Sequence, residues 1–594
     1  MPGMNSGLSP SDPMLVAAFK SALLHQGAIA LLMLVFLCLL WATARTWRPA
    51  GSPETGGATA GEPTEARARW LLRTGFGVLW IFDGILQAQP KMAGGLATQV
   101  MEPIAASSPG WVQHLVNWGG TAWSYHPIQA GAASVWIQVG IGTWLIVAVH
   151  GPWSRLAGAA SVTWGLIVWV FGESFGGIFA PGLSWLTGAP GAVLIYVVAG
   201  ALIALPEGAW RVSRPGRLVL AGLGVFFAAM AVLQAWPGRG FWQGSAGGRP
   251  GTLSGMVTEM AGAPQPHFLS SLLSGFASFA TRYGFAVNLV VVIALAAMGA
   301  AFLTGRPRLV RYAMWSGIVF CLADWVLVQD FGFLGGLGTD PNSMIPLIVL
   351  FSAGYLALTP AAQEAETPAR ATEAKRPGAR SVAAAGALAV ILLGAAPMAA
   401  AAVNRTADPI LALAISGNST SLNLPAPGFS LTDQNGRTVS LASLRGKVVL
   451  MTFLDPVCTS DCPIIAQEFK QTGQMLGAQA KNVELVAVVA NPTYRSTAFT
   501  RAFDRQEGLT TVPDWLYLTG SLSQLGAVWR HYGVAVENLP AGAMAAHNDL
   551  AVVIDPAGRI RQELSSDPGP ATVSTRSSFS VLLGQYARQA LRQS

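Results

Sequence analysis

The chain has 594 residues, of which 52% are hydrophobic and only 11% charged. Soluble domains carry about 25% charged residues, so the composition excludes an ordinary soluble protein and implies a multi-span α-helical membrane protein. The formal charge of +7 sits largely in short connections between apolar runs, where Lys and Arg set topology, and it calls for no nucleic-acid partner.

In chain order, a tail whose only Lys or Arg is Lys20 precedes the apolar run Ala28–Ala42. No small-residue cleavage site follows it cleanly, so the run reads as a retained first span and not as a signal peptide. Further runs of about 20 apolar residues fall near 70–88, 128–149, 156–172, 190–206, 217–236, 284–304, 310–330, 343–360 and 381–403. Alternate connections carry the basic residues, among them Arg67 and Arg69, Arg155, Arg211 and Arg214, Arg306 and Arg308, and Lys375 and Arg376. Placed in the cytoplasm, these loops put both termini outside it. The expected location is the cell membrane, multi-pass, with everything after residue 403 extracytoplasmic.

An internal repeat is legible. Gly75-Phe76-Gly77-Val78 recurs as Gly222-Leu223-Gly224-Val225, and Trp169-Val170 with Phe175-Gly176 recurs as Trp325-Val326 with Phe331-Gly332. Each copy holds four spans, which predicts two parallel repeats. The four-span unit loosely resembles the DoxX-type membrane family in span count and in Gly/Trp texture. The expected domains are 1–60 (tail, first span and cytoplasmic linker), 61–210 and 211–360 (the two repeats), 361–424 (cytoplasmic linker, tenth span and a flexible tether from 404) and 425–594 (a globular domain).

Ionisable residues in or beside spans are functional candidates, because charge is costly in hydrocarbon. Asp83, Glu173, Asp324 and Asp330 qualify, with Gln87, Gln234 and Gln329 nearby. They line an outward cavity for a cation, a proton or a quinone-like substrate, or they are interfacial carboxylates solvated by headgroups beside one buried, hydrogen-bonded Asp324. His114, His126, His267, Met92, Met101, Met256 and Met260 fall in expected outer loops without tight ligand spacing. Cys38 and Cys321 lie inside spans and read as inert fillers.

The remaining cysteines, Cys458 and Cys462, follow the β-type run Val448–Leu454 and precede an amphipathic pattern of Ile464, Ile465, Phe469 and Met475. Pro463 suits a first helical turn. The pair therefore lies on a strand-to-helix turn, where the helix dipole favours thiolate over thiol. Further strands are expected at Val483–Val489, Trp515–Leu518, Leu550–Asp555 and 559–563, with helices between the earlier ones. This is an α/β, thioredoxin-like layout.

Ala426-Pro427-Gly428-Phe429 through Gly436, followed by Leu444-Arg445-Gly446-Lys447, resembles the entry into thioredoxin-like redoxin domains. Cys458-x-x-x-Cys462-Pro463 with a late His547 resembles the Sco/SenC family of copper-binding, thioredoxin-fold assembly factors. The resemblance implies copper as cargo, with Cys458, Cys462 and His547 as its ligands. It also implies a respiratory oxidase subunit as copper acceptor and an extracytoplasmic thiol reductant to keep the cysteines reduced. Two thiolates and an imidazole suit copper(I) independently of the family. The sequence departs from the family at Asn491-Pro492, where Asp-Pro is usual, and at Ala546, where an aspartate commonly precedes the histidine. Met544 and Asp549 are candidate supplementary ligands.

Three other chemistries fit the cysteine pair less fully. A thiol–disulfide oxidoreductase needs only Cys458 and Cys462 as catalytic residues, and a permanent disulfide would need no third residue. A peroxidase would want a hydroxyl where Asp455 stands. At the level of the whole chain, the alternative to a metallochaperone for cytochrome oxidase assembly is a transporter of copper or a small solute with a fused acceptor domain.

Overall fold

The computed structural model describes residues 13–46, 65–105, 107–180, 183–246, 249–262, 265–334, 337–358, 379–403, 419–458, 461–538, 545–565 and 579–592. The first twelve residues, most of the 361–380 linker, residues 404–418 of the tether and Met544 therefore lie outside the described residues. Two compact units emerge. One comprises Met1–Leu23, Pro90–Ala132 and Pro397–Ser594, the other Leu24–Gln89 and Ala133–Ala396.

The main helices before the C-terminal domain are α1 (Pro13–Thr46), α2 (Arg67–Gln87), α3 (Gly110–Tyr125), α4 (Pro127–Val147), α5 (Gly151–Phe171), α6 (Ala192–Ala204), α7 (Arg214–Ala235), α8 (Thr252–Ala261), α9 (His267–Thr304), α10 (Pro307–Leu327), α11 (Met344–Leu358) and α12 (Ala379–Val403). Among the described residues, seven helices are long and apolar enough to cross a membrane, while α6 and α11 are shorter apolar helices. A helix overlaps each expected apolar run.

Two expectations change. The run expected at 284–304 belongs to the longer α9, whose helical geometry is interrupted at Tyr283. Segments expected as Gly/Trp-rich loops contain α3 and α8, so His114, Met256 and Met260 ride on helices. In α3 the reason is local: Val112 and Val116, one turn apart, are both fully buried and give the segment an apolar stripe.

Arg69 was expected as a solvated topology signal, yet it is 1% exposed. It donates to Glu65 (2.8 Å), Val149 O (2.6 Å) and Ser154 Oγ (2.6 Å). Arg73 joins it, bonding Glu65 and the carbonyls of Leu145 and Ile146. The two guanidinium groups thus satisfy carbonyls at the end of α4 that no helical N–H can reach.

The carboxylates of this region are not solvated at an interface. Asp83, Asp324 and Asp330 are buried; Asp83 lies within hydrogen-bond reach of the Tyr196 hydroxyl, and the oxygens of Asp324 and Asp330 have no hydrogen-bond partner among the described residues. The hydrogen bond that the interfacial alternative gave Asp324 is absent among the described residues. Glu173 has a structural role: its carboxylate accepts from Val193 N at 3.1 Å, at the start of α6, where the helix dipole favours negative charge. Gln234 bonds Ser184 (3.0 Å) and Asn288 (2.8 Å).

The recurring sequence motifs adopt matching geometry. Ser174 and Phe175 have φ of 48° and 61°, as do Asp330 and Phe331. Trp169 meets Phe175 edge-on at 5.2 Å and bonds Pro190 O; Trp325 meets Phe331 edge-on at 4.7 Å and bonds Pro341 O. Gly77 and Gly142 mark the close approach of α2 and α4, and Gly224 and Gly299 that of α7 and α9. A Cβ on Gly224 would stand 3.0 Å from Gly299 O, too near for an unshifted side chain, so small residues let these helices meet.

The C-terminal domain starts earlier than its expected first residue. Strand β1 (Ser419–Pro425) occupies the end of the segment expected as tether. It is followed by β2 (Ser430–Thr432), β3 (Thr438–Ser440), β4 (Val448–Leu454), α13 (Asp461–Leu476), β5 (Val483–Val489), α14 (Thr497–Gln506), β6 (Trp515–Leu518), α15 (Leu522–Tyr532), β7 (Val536–Asn538), β8 (Ala545–His547), β9 (Leu550–Ile554), β10 (Arg559–Ser565) and α16 (Phe579–Arg592). The main sheet runs β1-β10-β9-β4-β5-β6. β4, β5 and β6 are parallel, and β9, β10 and β1 add antiparallel. Every residue of β4 and β5 is buried, the pattern of strands covered on both faces. α13 contributes buried Ile464, Ile465 and Phe469, but Met475, expected on the same face, is 39% exposed and Leu476 is buried in its place. This is the expected thioredoxin-like α/β arrangement.

Candidate functional site

Parallel strands β4 and β5 pair Leu454 with Val489, so Asp455 and Asn491 emerge together at the carboxyl ends of adjacent strands. Sites in α/β sheets form at that edge. The chain turns through Pro456, Val457 and Cys458 and enters α13, whose first turn carries Cys462. The Cys458 N–H donates to Asp455 O at 3.1 Å, which closes the turn. Cys462 is 1% exposed; Cys458 is half-buried, and both are free thiols.

His547 comes from the other side of the sequence. Strands β7 and β8 form an antiparallel hairpin in which His547 opposes Val536. His547 was expected just ahead of a strand; it ends β8, three residues before β9 begins. Its side chain is buried, with Nε2 3.4 Å from Cys462 Sγ. A sulfur and a nitrogen bound to one ion at roughly 2.3 and 2.0 Å, at tetrahedral to trigonal angles, stand about 3.5–3.7 Å apart. The pair is therefore already near the spacing that a shared ion requires.

The other ring nitrogen is held from behind. His547 Nδ1 faces Asn548 O at 3.4 Å and Asp549 Oδ1 at 3.8 Å. A proton on Nδ1, directed at these oxygens, leaves the Nε2 lone pair toward sulfur, the usual arrangement of a metal-ligating imidazole. Asp549, a candidate ligand in the sequence, thus sits on the Nδ1 side of the ring, away from Cys462.

Cys458 lies close enough for its side chain to hydrogen-bond with the Cys462 thiol. Even so, among the described residues no group of three or more His, Cys, Asp or Glu side chains is gathered as a metal site. The structure brings Cys462 and His547 together and leaves Cys458 on the turn beside them.

Burial raises the Cys462 thiol well above its ordinary range, and Cys458, Asp455 and Asp549 push it the same way. The expectation that the helix dipole would favour thiolate fails for this residue: loss of water outweighs the partial charge of a helix end. Half-buried Cys458 is the more accessible sulfur.

Two residues at the centre of the site were not candidates in the sequence. Asp455 is fully buried, and its carboxylate accepts from Val457 N (3.0 Å), Asn491 Nδ2 (3.0 Å) and Ala545 N (2.7 Å). Burial raises its pKa while these three donors and His547 pull the other way. The available signal was the pair of unusual residues itself, an acid three before Cys458 and an amide before Pro492.

Residues 419–577 match the SCO1/SenC family model. A SCO1 protein homolog of Bacillus subtilis (strain 168) is 24% identical over 144 residues, which cover 24% of this chain and 74% of that protein. Two solved structures align at low identity. ScoI of Bradyrhizobium japonicum with copper bound shares 21% identity, covering 28% of this chain and 99% of its own, with a TM-score of 0.23. A SCO1/SenC family lipoprotein from Bacillus anthracis str. Ames shares 19%, covering 29% and 97%, with a TM-score of 0.26. The match to the SCO1/SenC family thus belongs to the C-terminal part of the chain, residues 419–577.

Proposed function

We propose that this chain is a membrane-anchored copper(I) chaperone that also reduces disulfides to thiols, acting in assembly of a respiratory copper enzyme such as cytochrome oxidase. Cys458, Cys462 and His547 hold the ion as cargo; the acceptor is a copper-binding oxidase subunit, and an extracytoplasmic thiol reductant keeps the cysteines reduced. The observation that carries this reading is the 3.4 Å approach of Cys462 Sγ and His547 Nε2, with Nδ1 turned to Asn548 O on the far side of the ring. Two soft sulfurs and one imidazole favour copper(I) over harder ions. Cys458 on the open turn gives an acceptor's ligands a point of entry for exchange.

The helical region, in this reading, spans the membrane ten times as a tail-proximal span, two four-span repeats (61–210 and 211–360) and an anchoring tenth span, with the copper domain outside the cytoplasm. The matched Trp–Phe turns and glycine crossings support the repeat.

The test is copper(I) titration of the full-length protein in detergent under reducing conditions, against a chromophoric copper(I) chelator. The wild type is expected to bind one ion tightly, and His547→Ala, which removes a ligand, to lose that tight binding. Equal binding by the variant, with disulfide reduction intact, rejects the chaperone and leaves a thiol–disulfide oxidoreductase. In that second reading, favoured by the exposure difference between the cysteines, Cys458 thiolate attacks a target disulfide and displaces one target thiolate. Cys462 then attacks the Cys458 sulfur and releases the second, and two electrons pass to the target as the 458–462 disulfide forms.

A further inference from the structure

Cys462 and His547 are 85 positions apart in the sequence and lie on a helix and a hairpin that share no backbone ladder. The β9–β4 ladder brings the two segments to the same end of the sheet, and one group there touches both elements. Asp455 is that group. Its backbone N–H donates to Cys462 Sγ at 3.3 Å. One carboxylate oxygen accepts from Val457 N inside the cysteine turn. The other accepts from Ala545 N at 2.7 Å, the first residue of the strand that His547 ends.

The strand geometry converts this bond into a position for the imidazole. Residues two apart in a strand face the same way, and Ala545 and His547 are both buried while Ala546 between them is half-exposed. Pinning the Ala545 N–H to Asp455 holds the strand against the cysteine turn with its inward face, and so His547, toward Cys462.

Asn491 completes the arrangement and explains its polarity. Its Oδ1 accepts from Thr493 N (2.8 Å) and Tyr494 N (2.9 Å), so its NH₂ is the end left to face Asp455, at 3.0 Å. A carboxylate at position 491 would set two acids against each other. The residue that departs from the usual Asp-Pro is thus the one that the acid at 455 requires.

We infer that Asp455, held by Asn491, is the positioning residue that sets His547 on Cys462 and thereby tunes copper(I) binding at this site. The inference rests on the copper reading above. It assigns no contact between Asp455 and the ion: the carboxylate acts through the hairpin, and its oxygens are already occupied by three donors.

The test uses full-length protein in detergent and copper(I) presented against a chromophoric chelator. Asp455→Asn preserves shape but turns an NH₂ toward the Val457 or Ala545 N–H, so affinity is expected to fall roughly tenfold to a hundredfold. In the copper(II)-loaded form, the thiolate-to-copper charge-transfer band is expected to shift, with the circular dichroism spectrum and the count of reactive thiols unchanged. Asn491→Asp, which sets a second carboxylate against Asp455, is expected to weaken binding similarly. Affinity of Asp455→Asn within about threefold of wild type, with an unshifted band, overturns the inference. Should Asp455→Asn not fold, Asn491→Ala decides: it removes one donor and leaves the carboxylate, and unchanged affinity overturns the inference while a several-fold loss supports it. His547→Ala run in parallel separates the two claims. If it retains copper the chaperone reading fails; if it loses copper while Asp455→Asn retains it, only the positioning role fails.

Discussion

Asp455 of the C-terminal domain and two aspartates of the helical unit, Asp324 and Asp330, are buried in opposite ways. Asp455 is fully buried and its carboxylate accepts three hydrogen bonds; Asp324 and Asp330 are buried with none among the described residues. A buried acceptor surrounded by donors fixes geometry, because each donor left without it costs about 1–3 kcal/mol. A buried acid with no donors holds no neighbour in place in this way. The contrast separates an acid that organises the segments around it from acids that do not.

The comparison is broken most severely by Asp455→Ala, which strands the N–H groups of Val457 and Ala545 and the Asn491 amide. The expected cost is several kcal/mol, at about 1–3 kcal/mol per donor. Hydrogen exchange should show it as lost protection in the 455–465 turn and the 545–547 strand, with α2 to α11 unchanged. Equal loss in both regions contradicts a local role.

A second effect comes from an unpaired acid inside the C-terminal domain. Glu507 is fully buried, its carboxylate has no hydrogen-bond partner among the described residues, and burial pushes its pKa up to about 8. Asp504 rises to about 7 for the same reason, despite its bond from the Trp515 indole. Both folded values lie above the unfolded ones, so these groups contribute their full stability at about pH 4 and below. As pH rises the unfolded chain ionises first, and each group takes away about 1.4 kcal/mol per pH unit until about pH 7 for Asp504 and about pH 8 for Glu507. Denaturant unfolding followed in this domain should show stability falling across that window. Glu507→Gln should unfold with a shallower pH slope and gain on the wild type toward pH 8; identical slopes refute the assignment.

Smaller effects are expected in the helical unit. Gly224→Ala places a Cβ 2.7 Å from Leu303 and 3.0 Å from Gly299 O, whereas Gly222→Ala meets nothing within 4 Å. The first should destabilise by about 1–3 kcal/mol through overpacking, and the second should be neutral or stabilising by about 0.5–1 kcal/mol. Thermal unfolding in detergent ranks them. Asp324→Asn removes no hydrogen bond, so its stability should stay within about 0.5 kcal/mol of wild type. A solute or proton flux that changes without a change in stability would support a transport role for that region.

Much of the domain was legible because its strong elements are strongly patterned. The fully buried strands 448–454 and 483–489 read as near-continuous apolar runs, and the observed ends differ from the expected ones by a residue at most. The cysteine turn and His547 came from spacing and resemblance. What escaped was held by partners and not by pattern. β1, Ser-Thr-Ser-Leu-Asn-Leu-Pro, pairs only with β10 and exposes Leu424, so its sequence resembles a tether. β8, Ala-Ala-His, offers no hydrophobic alternation to detect. Asp455 and Asn491 were visible as separate oddities, and only the adjacency of two parallel strand ends turns them into a pair. The thiolate expectation for Cys462 failed because sequence reveals a helix start but not how deeply the sulfur is buried.

The central claim is that a sulfur and an imidazole converge on one copper(I) ion. Copper K-edge absorption fine structure of the loaded full-length protein tests it most directly. The account predicts a first shell of two sulfurs and one imidazole nitrogen in the wild type, with the outer-ring imidazole scattering lost in His547→Ala. A sulfur-only shell in the wild type, unchanged by that substitution, would contradict it.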